Sequence, residues 1–451
     1  MKYDYDLAIL GAGPGGYEAA IRAAKGGLKV ALIEKDELGG TCLNRGCIPT
    51  KALLHGAQLY HEAKNGSAFG FEAGSATIDY KKLAGFKDSC VERLKKGIAF
   101  MEKKAGVEVI TGFGVITSQH SLNVGSRTVT FDKLIIAVGS SPAVPPIPGA
   151  NGEGVLTSDG VLAFDALPNN IVIIGGGVIG VEFATLFGML GAGVTIVEML
   201  DEIIPGVDGD IRSIAVKSLK KLGVKIITGA KVTAIEGTSP VTVSFERDSK
   251  PDTASGDVCA ICAGRRPNTG NIGLEACSIN APRGFIEVDE RMRTNVENVY
   301  AIGDAVGKIQ LAHVATHQGY VAVDSILGRD ARMSYAAIPA CVYMSPELAY
   351  VGLAESEALK SGRRVKTGTF NVAAGGRCAV MNEREGIIKL VSDATTGEIL
   401  GCQIIAPRAT DLISEVVAVM KCEGTVEELA LAVHPHPTVS EIVWEAAKAA
   451  E

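Results

Sequence analysis

Two short stretches of this 451-residue chain carry residue types able to move electrons and protons. In Gly39-Gly-Thr-Cys42-Leu-Asn-Arg-Gly-Cys47-Ile-Pro-Thr-Lys51, two cysteines stand five residues apart. On an ideal helix their Cα atoms would lie about 8.6 Å apart, whereas a disulfide wants roughly 4.4–6.8 Å. A Cys42–Cys47 bond therefore requires that residues 42–47 leave regular helix. Asn44 and Gly46 permit that, and Pro49 suits the first turn of a helix starting after it. The plain alternative is two buried thiols at a helix start. The second stretch, His434-Pro-His436-Pro-Thr-Val-Ser-Glu441, sets two imidazoles near a carboxylate.

A third cluster, Cys259-Ala-Ile-Cys262, lies in the apolar run Val258–Ala263. A C-x-x-C can be a redox or zinc motif, but zinc needs a second pair, and the chain offers none nearby. Core packing is the expected role, and no metal site is expected.

The elements that must position these residues repeat. Asp6–Leu10 runs into Gly11-Ala-Gly13-Pro-Gly-Gly16, a helical stretch, and Leu28–Glu34; Ile171–Ile174 runs into Gly175-Gly-Gly177-Val-Ile-Gly180, a helical stretch, and Gly193–Glu198. Each is a βαβ unit of a parallel sheet. The first glycine makes the tight turn and the second admits a pyrophosphate. The third packs helix on strand, and the helix N-terminus supplies N–H donors to phosphates. The closing acid, Glu34 or Glu198, stands 18 residues after the last glycine in both copies and suits a ribose diol. One such turn is weak evidence, but two complete copies indicate two dinucleotide sites. A carboxylate at Glu198, with no arginine in Met199–Pro205, points to NAD over NADP. The cysteine pair follows Glu34 closely, so a redox disulfide beside the first nucleotide is the favoured reading.

Phe131–Ser140 reads as a buried strand returning to the first sheet, and the proline-rich loop Ser141–Pro148 as a boundary. Val258–Pro267 and Asn298–Asp304 form a second crossing. Beyond about residue 335 strands (Ile387–Val391, Ile399–Ile405) precede helical patterns (Asp411–Lys421, Val439–Ala450). The expected fold is α/β: two Rossmann-like domains plus a C-terminal α+β domain. The expected boundaries are 1–142 for the first (completed by about 265–335), 143–264 for the second and 336–451 for the third.

With 47% hydrophobic and 21% charged residues the chain is ordinary for a globular protein. Its 54 glycines exceed the background of roughly 7% without a collagen period. A net charge of −7 gives no electrostatic case for nucleic acid or an anionic membrane. No apolar run reaches a membrane span, and acids replace the basic start of a signal peptide, so a cytoplasmic protein is expected. Ten cysteines are too dilute for a disulfide scaffold.

The two fingerprints, the Gly39–Lys51 segment, Ile302-Gly-Asp304 and His434–Glu441 together resemble the flavoprotein disulfide reductases over essentially the whole chain. Within that family the motifs are most similar to those of the enzymes that oxidise dihydrolipoyl groups. The resemblance implies FAD at Gly11, Gly13, Gly16 and Glu34, with Asp304 on the ribityl-phosphate part and Lys51 near the flavin. Glu182 would be the ion-pair partner of Lys51. Gly114, Ser140, Gly264 and Ala312 would add cofactor contacts, and Gly175, Gly177, Gly180 and Glu198 would take NAD. Cys42 would meet the substrate and Cys47 the flavin.

A dithiol substrate needs a base, since a thiol with a pKa near 8.5 is mostly protonated at pH 7, and an imidazole suits that task. His436 is the candidate. Glu441 reads two ways from the pattern, as a capping-box acid with Thr438 or as the partner of His436; the resemblance favours the second. His434 reads as a surface histidine in a proline-rich turn. In the family the base comes from the other subunit, implying a homodimer, and the substrates are lipoyl domains of 2-oxo acid dehydrogenase or glycine cleavage complexes. Two departures stand out: His317-Gln318-Gly319 replaces a stretch that usually holds an acid, and Arg45 sits where a small apolar residue is common. Either could shift the flavin potential or product inhibition. Related reductases fit less well: Glu198 argues against NADP-linked ones, and the C-terminus lacks the cysteine pair of the mercuric type.

Overall fold

The computed structural model describes residues 2–71, 74 and 76–451 and divides into two compact units. The first comprises residues up to 52, 82–143 and 264–334. Its parallel sheet runs β3 (Glu108–Thr111), β2 (Val30–Glu34), β1 (Tyr5–Leu10), β6 (Arg127–Ile136), with β17 (Val299–Ala301) also paired to β6. The early half of β6 turns back antiparallel on β5 (Ser121–Val124), which pairs β4 (Gly114–Ser118).

Strands β1, β2 and β17 are apolar at nearly every position because both faces are covered, whereas the edge strand β3 buries only Ile110. Leu7, Ile9, Leu32 and Ile135 meet the alanines of α1 (Pro14–Lys25) and of α8 (Ala312–Ile326) on one side. Ala8, Leu10, Ile33 and Phe131 fill the other. Helices α1 and α8 approach closely: a Cβ on Gly319 would lie 2.8 Å from the Gly15 carbonyl. Arg22 and Asp324 bridge the two helices at 2.6 and 3.1 Å. Between β2 and β3 the chain forms α2 (Gly40–Arg45), α3 (Cys47–Lys64) and α4 (Tyr80–Ala105). A two-stranded ribbon joins β7 (Ser140–Pro142) to β16 (Arg265–Pro267).

The second unit comprises residues 53–81, 144–263 and 335–451. It holds a second parallel sheet, β11 (Lys225–Ile227), β10 (Gly193–Val197), β9 (Asn170–Ile174), β15 (Val258–Ile261), β8 (Val155–Thr157). Three helices belong to this region: α5 (Ser158–Leu162), α6 (Val178–Met189) and α7 (Gly209–Lys221). An antiparallel meander, β12 (Ala230–Glu236), β13 (Val241–Arg247) and β14 (Lys250–Gly256), packs its Val241, Val243 and Phe245 into the same core. Past residue 335 the sheet is antiparallel: β18 (Ala340–Val342), β19 (Glu347–Gly352), β22 (Ile399–Ala406), β21 (Ile387–Asp393), β20 (Val365–Asn371). With it go α9 (Glu355–Lys360), α10 (Gly376–Val380), α11 (Ala409–Lys421), α12 (Val426–Leu431) and α13 (Glu441–Ala450). The last three helices bury Ile413, Leu429 and Val443 against β19, β21 and β22.

The α/β class with two Rossmann-like sheets and an α+β C-terminal part is thus the observed architecture. Cys259 is fully buried in β15, and burial pushes the thiols of Cys259 and Cys262 up to about 12. Among the described residues no helix is long and apolar enough to cross a membrane.

Candidate active site

Cys42 and Cys47 form a disulfide with Cα atoms 4.7 Å apart, inside the range such a bond accepts. The departure from helix falls at Gly46, whose φ of −146° and ψ of −110° separate α2 from α3. A Cβ there would stand 3.0 Å from the Thr41 carbonyl and 3.2 Å from the Cys42 Cα, so a side chain at residue 46 would crowd the turn that closes onto the disulfide. Helix α3 begins at Cys47, two residues earlier than Pro49 suggests. Pro49 sits inside its first turn, where the missing N–H has no helical partner to lose. The Thr50 N–H and hydroxyl both donate to the Gly46 carbonyl, at 3.1 and 2.6 Å. The Asn44 amide donates to the Leu38 and Gly40 carbonyls. Arg45 points outward, paired with Asp36. Lys51 lies half-buried in α3.

The disulfide follows the first glycine turn directly. Gly11 has φ +106°, and a Cβ on it would stand 2.4 Å from the Ala137 carbonyl. One on Gly16 would stand 1.9 Å from the Gly11 carbonyl. The second turn repeats this: Gly175 has φ +112° with the Cys262 carbonyl 2.5 Å away, and Gly180 meets the Gly175 carbonyl at 2.0 Å. The outer glycines are therefore required by the chain's own backbone. The middle ones are not: a Cβ on Gly13 or Gly177 meets nothing within 4 Å. Open space beside a bare helix N-terminus, Gly13 before α1 and Gly177 before α6, fits a dinucleotide pyrophosphate in both places.

Each closing acid holds its own turn. Glu34 accepts from the N–H of Ala12 at 2.7 Å and of Asp36 at 2.8 Å. Glu198 accepts from Gly176 at 2.5 Å and Leu200 at 2.7 Å. Burial raises the Glu34 carboxyl above its usual range.

Elsewhere in the first unit, Ser140 is buried and donates its hydroxyl to Asp304. Arg265 donates to the Ser140 hydroxyl and carbonyl, both at 2.7 Å, and lies 3.6 Å from Asp304. Gly264 precedes Arg265, so the β7–β16 ribbon gathers Ser140, Gly264 and Asp304 around one guanidinium. Sequence reasoning missed Arg265. Ala312 opens α8, and Gln318 on that helix is fully buried, its side-chain oxygen taking the Gly303 N–H at 2.6 Å. Gly114 opens β4, where a Cβ would lie 2.5 Å from the tip of the Leu10 side chain, so a larger residue there would have to displace Leu10. In the second unit Glu182 is 4% exposed on α6 and accepts from the Tyr343 N–H at 3.0 Å.

The C-terminal motif separates the two readings of Glu441. One carboxylate oxygen faces His436 Nδ1 at 2.8 Å, and the other accepts from the Thr438 N–H at 2.9 Å. That second bond has the i, i+3 spacing of a capping box, but α13 begins at Glu441 with Ser440 as its N-cap and no side-chain cap. The Thr438 hydroxyl turns to the Pro435 carbonyl, so the pair braces the turn before the helix and does not cap it. His436 beside it holds the Glu441 carboxyl below its ordinary range. The His436 side chain is 75% exposed, with Nε2 directed to no hydrogen-bond partner among the described residues. His434 departs from expectation. Its side chain is only 6% exposed and contacts Glu415 at 2.7 Å, because Trp444 packs beside it in near-parallel stacking.

The family profile of the pyridine nucleotide-disulphide oxidoreductases matches residues 5–319, and that of their dimerisation domain matches 338–447. A dihydrolipoyl dehydrogenase of Bacillus subtilis (strain 168) is 40% identical over 468 residues, covering 100% of this chain and 99% of the relative. One of Geobacillus stearothermophilus is 41% identical, covering 99% and 96%. Among solved structures, the HOCl-induced flavoprotein disulfide reductase RclA of Escherichia coli superposes with a TM-score of 0.90 at 32% identity, over 99% of this chain and 100% of that one. LpdA of Mycobacterium tuberculosis gives 0.91 at 28%, over 98% of each. With a redox-competent disulfide set behind one of two dinucleotide turns, and relatives that match it end to end, the chain belongs to the pyridine nucleotide-disulphide oxidoreductase family.

Proposed function

We propose that this chain is an NAD-dependent flavoenzyme that oxidises protein-bound dihydrolipoamide to lipoamide. The observation that carries the reading is the Cys42–Cys47 disulfide, closed at Gly46 directly behind the first nucleotide turn. FAD would be held by Gly11, Gly13, Gly16, Glu34, Ser140 and Asp304, with Lys51, Gly114, Gly264 and Ala312 nearby, and NAD by Gly175, Gly177, Gly180 and Glu198. Bound there, FAD supplies a two-electron carrier between thiols and nicotinamide. We take residues 1–142, completed by about 265–335, as its domain, 143–264 as that of NAD and 336–451 as the interface domain.

The protein's own steps are thiol and proton chemistry. His436 Nε2 takes a proton from one substrate thiol while Glu441 holds Nδ1–H and the ring tautomer. The thiolate attacks Cys42 Sγ; the Cys42–Cys47 bond breaks and Cys47 leaves as thiolate. The second substrate thiol then attacks the substrate sulfur of the mixed disulfide and its proton passes to the departing Cys42 Sγ, so Cys42 leaves as a thiol while the first proton stays on His436 and Cys47 stays thiolate. The cyclic product has lost two electrons and two protons, and the cysteine pair has gained the electrons. Lys51 and Glu182 would form an ion pair that favours the reduced carrier. In this reading the dimerisation domain joins two copies, and each His436 serves the Cys42 of the other. Lipoyl domains of 2-oxo acid dehydrogenase or glycine cleavage complexes are the partners. A reducing compartment, the cytoplasm, suits the eight free cysteines among the described residues.

The test mixes the purified yellow protein with dihydrolipoamide and NAD⁺ and follows NADH absorbance, with NADP⁺ in parallel. Turnover with NAD⁺ alone is expected. No turnover with either nucleotide, flavin being present, would sink the lipoamide reading.

A further inference from the structure

We infer that His434 and Glu415 form a proton-loaded anchor whose task is to position His436. His434 Nδ1 lies 2.9 Å from the Ala432 carbonyl oxygen, and Nε2 lies 2.7 Å from Glu415 Oε1. A carbonyl only accepts, and so does an ionised carboxylate. A neutral imidazole has a single N–H, so one of these contacts would set lone pair against lone pair. Both are satisfied only when ring and carboxyl together hold two protons, as an imidazolium beside a carboxylate.

The surroundings keep the ring in place. It is nearly buried, and its centroid stands 6.4 Å from that of Trp444, with the ring planes 27° apart. Trp444 is itself tied, its indole N–H donating to the Ala430 carbonyl at 2.8 Å. The charged groups around the ring are few. Glu415 comes from α11; α13 contributes Glu441 and Lys448, the latter lying 3.6 Å from the Trp444 ring centroid and bound to Glu445 at 2.8 Å. From α12 comes the backbone carbonyl of Ala432 just past its end.

Two residues on, His436 turns the other way. Only Pro435 lies between the two histidines, and its ring fixes φ there, so a short, stiff link joins them. Fixing His434 inward therefore fixes His436 outward, where Glu441 takes Nδ1 and leaves Nε2 open. His434 cannot share the work of a base, because both of its nitrogens are already committed. The inference rests on reading His436 as the base, and it assigns His434 and Glu415 as positioning residues.

The experiment uses the only tryptophan in the chain. An imidazolium quenches a stacked indole more than a neutral imidazole does, so Trp444 emission of the intact holoenzyme reports the charge of His434. At pH 7 the wild-type emission should be quenched. In Glu415→Gln the amide N–H can donate to Nε2 while a neutral ring donates from Nδ1, so both contacts survive without the charge, and the emission at the same pH should be clearly brighter. His434→Gln should be bright as well. Wild-type emission as bright as that of Glu415→Gln overturns the inference. In dihydrolipoamide turnover, Glu415→Gln should keep kcat within about twofold, whereas Glu415→Ala should lose about tenfold or more at unchanged FAD content. A Glu415→Ala enzyme as fast as wild type would also overturn it. Should the alanine variant not fold, the fluorescence of the wild type and of Glu415→Gln decides the matter. Because the fluorescence needs no substrate, a protein inert towards dihydrolipoamide would remove the proposed function and leave this test intact.

Discussion

The two glycine turns are near copies in backbone, and the chain does different things after each. In both, the outer glycines meet carbonyl oxygens that no side chain could pass, and the closing glutamate ties the turn through two N–H groups. After Glu34 the chain folds inward through Gly39 and Gly40, both at positive φ, into the disulfide. After Glu198 it runs out to Met199 and Leu200, which are 65% and 47% exposed. A dinucleotide turn is thus a generic cradle, and reactivity is decided by the next dozen residues.

The sharpest way to break this contrast is at the disulfide. Cys47→Ser should lower dihydrolipoamide oxidation by at least on the order of a thousandfold, while NADH oxidation by an artificial electron acceptor stays within a few-fold of wild type. The second turn would then be working without the first unit's thiols. Comparable loss in both assays would mean that the two functions cannot be separated.

Next come the middle glycines, where a methyl group meets no protein atom. Gly177→Ala should leave folding and flavin content intact and weaken NAD binding by about 1–3 kcal/mol, the usual effect of overpacking, or roughly 5- to 150-fold. Gly13→Ala should do the reverse, lowering flavin retention with the NAD affinity of the residual holoenzyme unchanged. Titration of NADH together with the flavin-to-protein absorbance ratio reads both. A Gly177→Ala protein that binds NADH normally would place the pyrophosphate elsewhere.

These turns were legible because one contiguous stretch sets each of them: strand, glycines, helix and acid follow in order. The disulfide was legible for the same reason, the bond being local and its only geometric demand a break that Gly46 supplies. What escaped depends on distant chain. Arg265 reaches Ser140 across 125 positions, through a two-strand ribbon with no periodic signature of its own. His434 was misread because its proline-rich neighbourhood looks exposed, and nothing local announces that Glu415 and Trp444 enclose it. Glu441 was left between two roles because the Thr438–Glu441 spacing suits both a capping box and a carboxylate beside His436, and only the helix start at Glu441 tells them apart.

A smaller effect separates the two acids. Removing the negative charge with Glu198→Gln should narrow the preference for NAD⁺ over NADP⁺ by about tenfold, or 1.4 kcal/mol, because a 2′-phosphate would no longer face a carboxylate. The kcat/KM values for the two nucleotides measure it. An unchanged ratio would show that the residue serves only to hold its turn through Gly176 and Leu200.

The last effect falls on stability rather than on activity and concerns a second pair of acids, Glu102 and Glu182, both buried. Glu182 is met by the Tyr343 N–H. Glu102 on α4 is 1% exposed, and neither of its oxygens has a hydrogen-bond partner among the described residues. Burial, reinforced by the charge of Glu18, pushes its carboxyl up to about 8. A raised carboxyl binds its proton more tightly in the folded state, so its contribution to stability is complete below the unfolded pKa, near 4.3, and is lost as pH climbs towards 8. The slope is about 1.4 kcal/mol per pH unit within that window. Glu102→Gln keeps the shape and removes the slope. Between pH 6 and 8 the wild type should lose roughly 2–3 kcal/mol that the variant keeps, a relative drop of about 4–12 °C in Tm if a domain of ~200 residues responds at about 2–4 °C per kcal/mol. Thermal melts of the two proteins at both pH values test this. Parallel pH dependences would mean that Glu102 keeps its charge in the fold, and the unpartnered carboxyl would then have to be served by water.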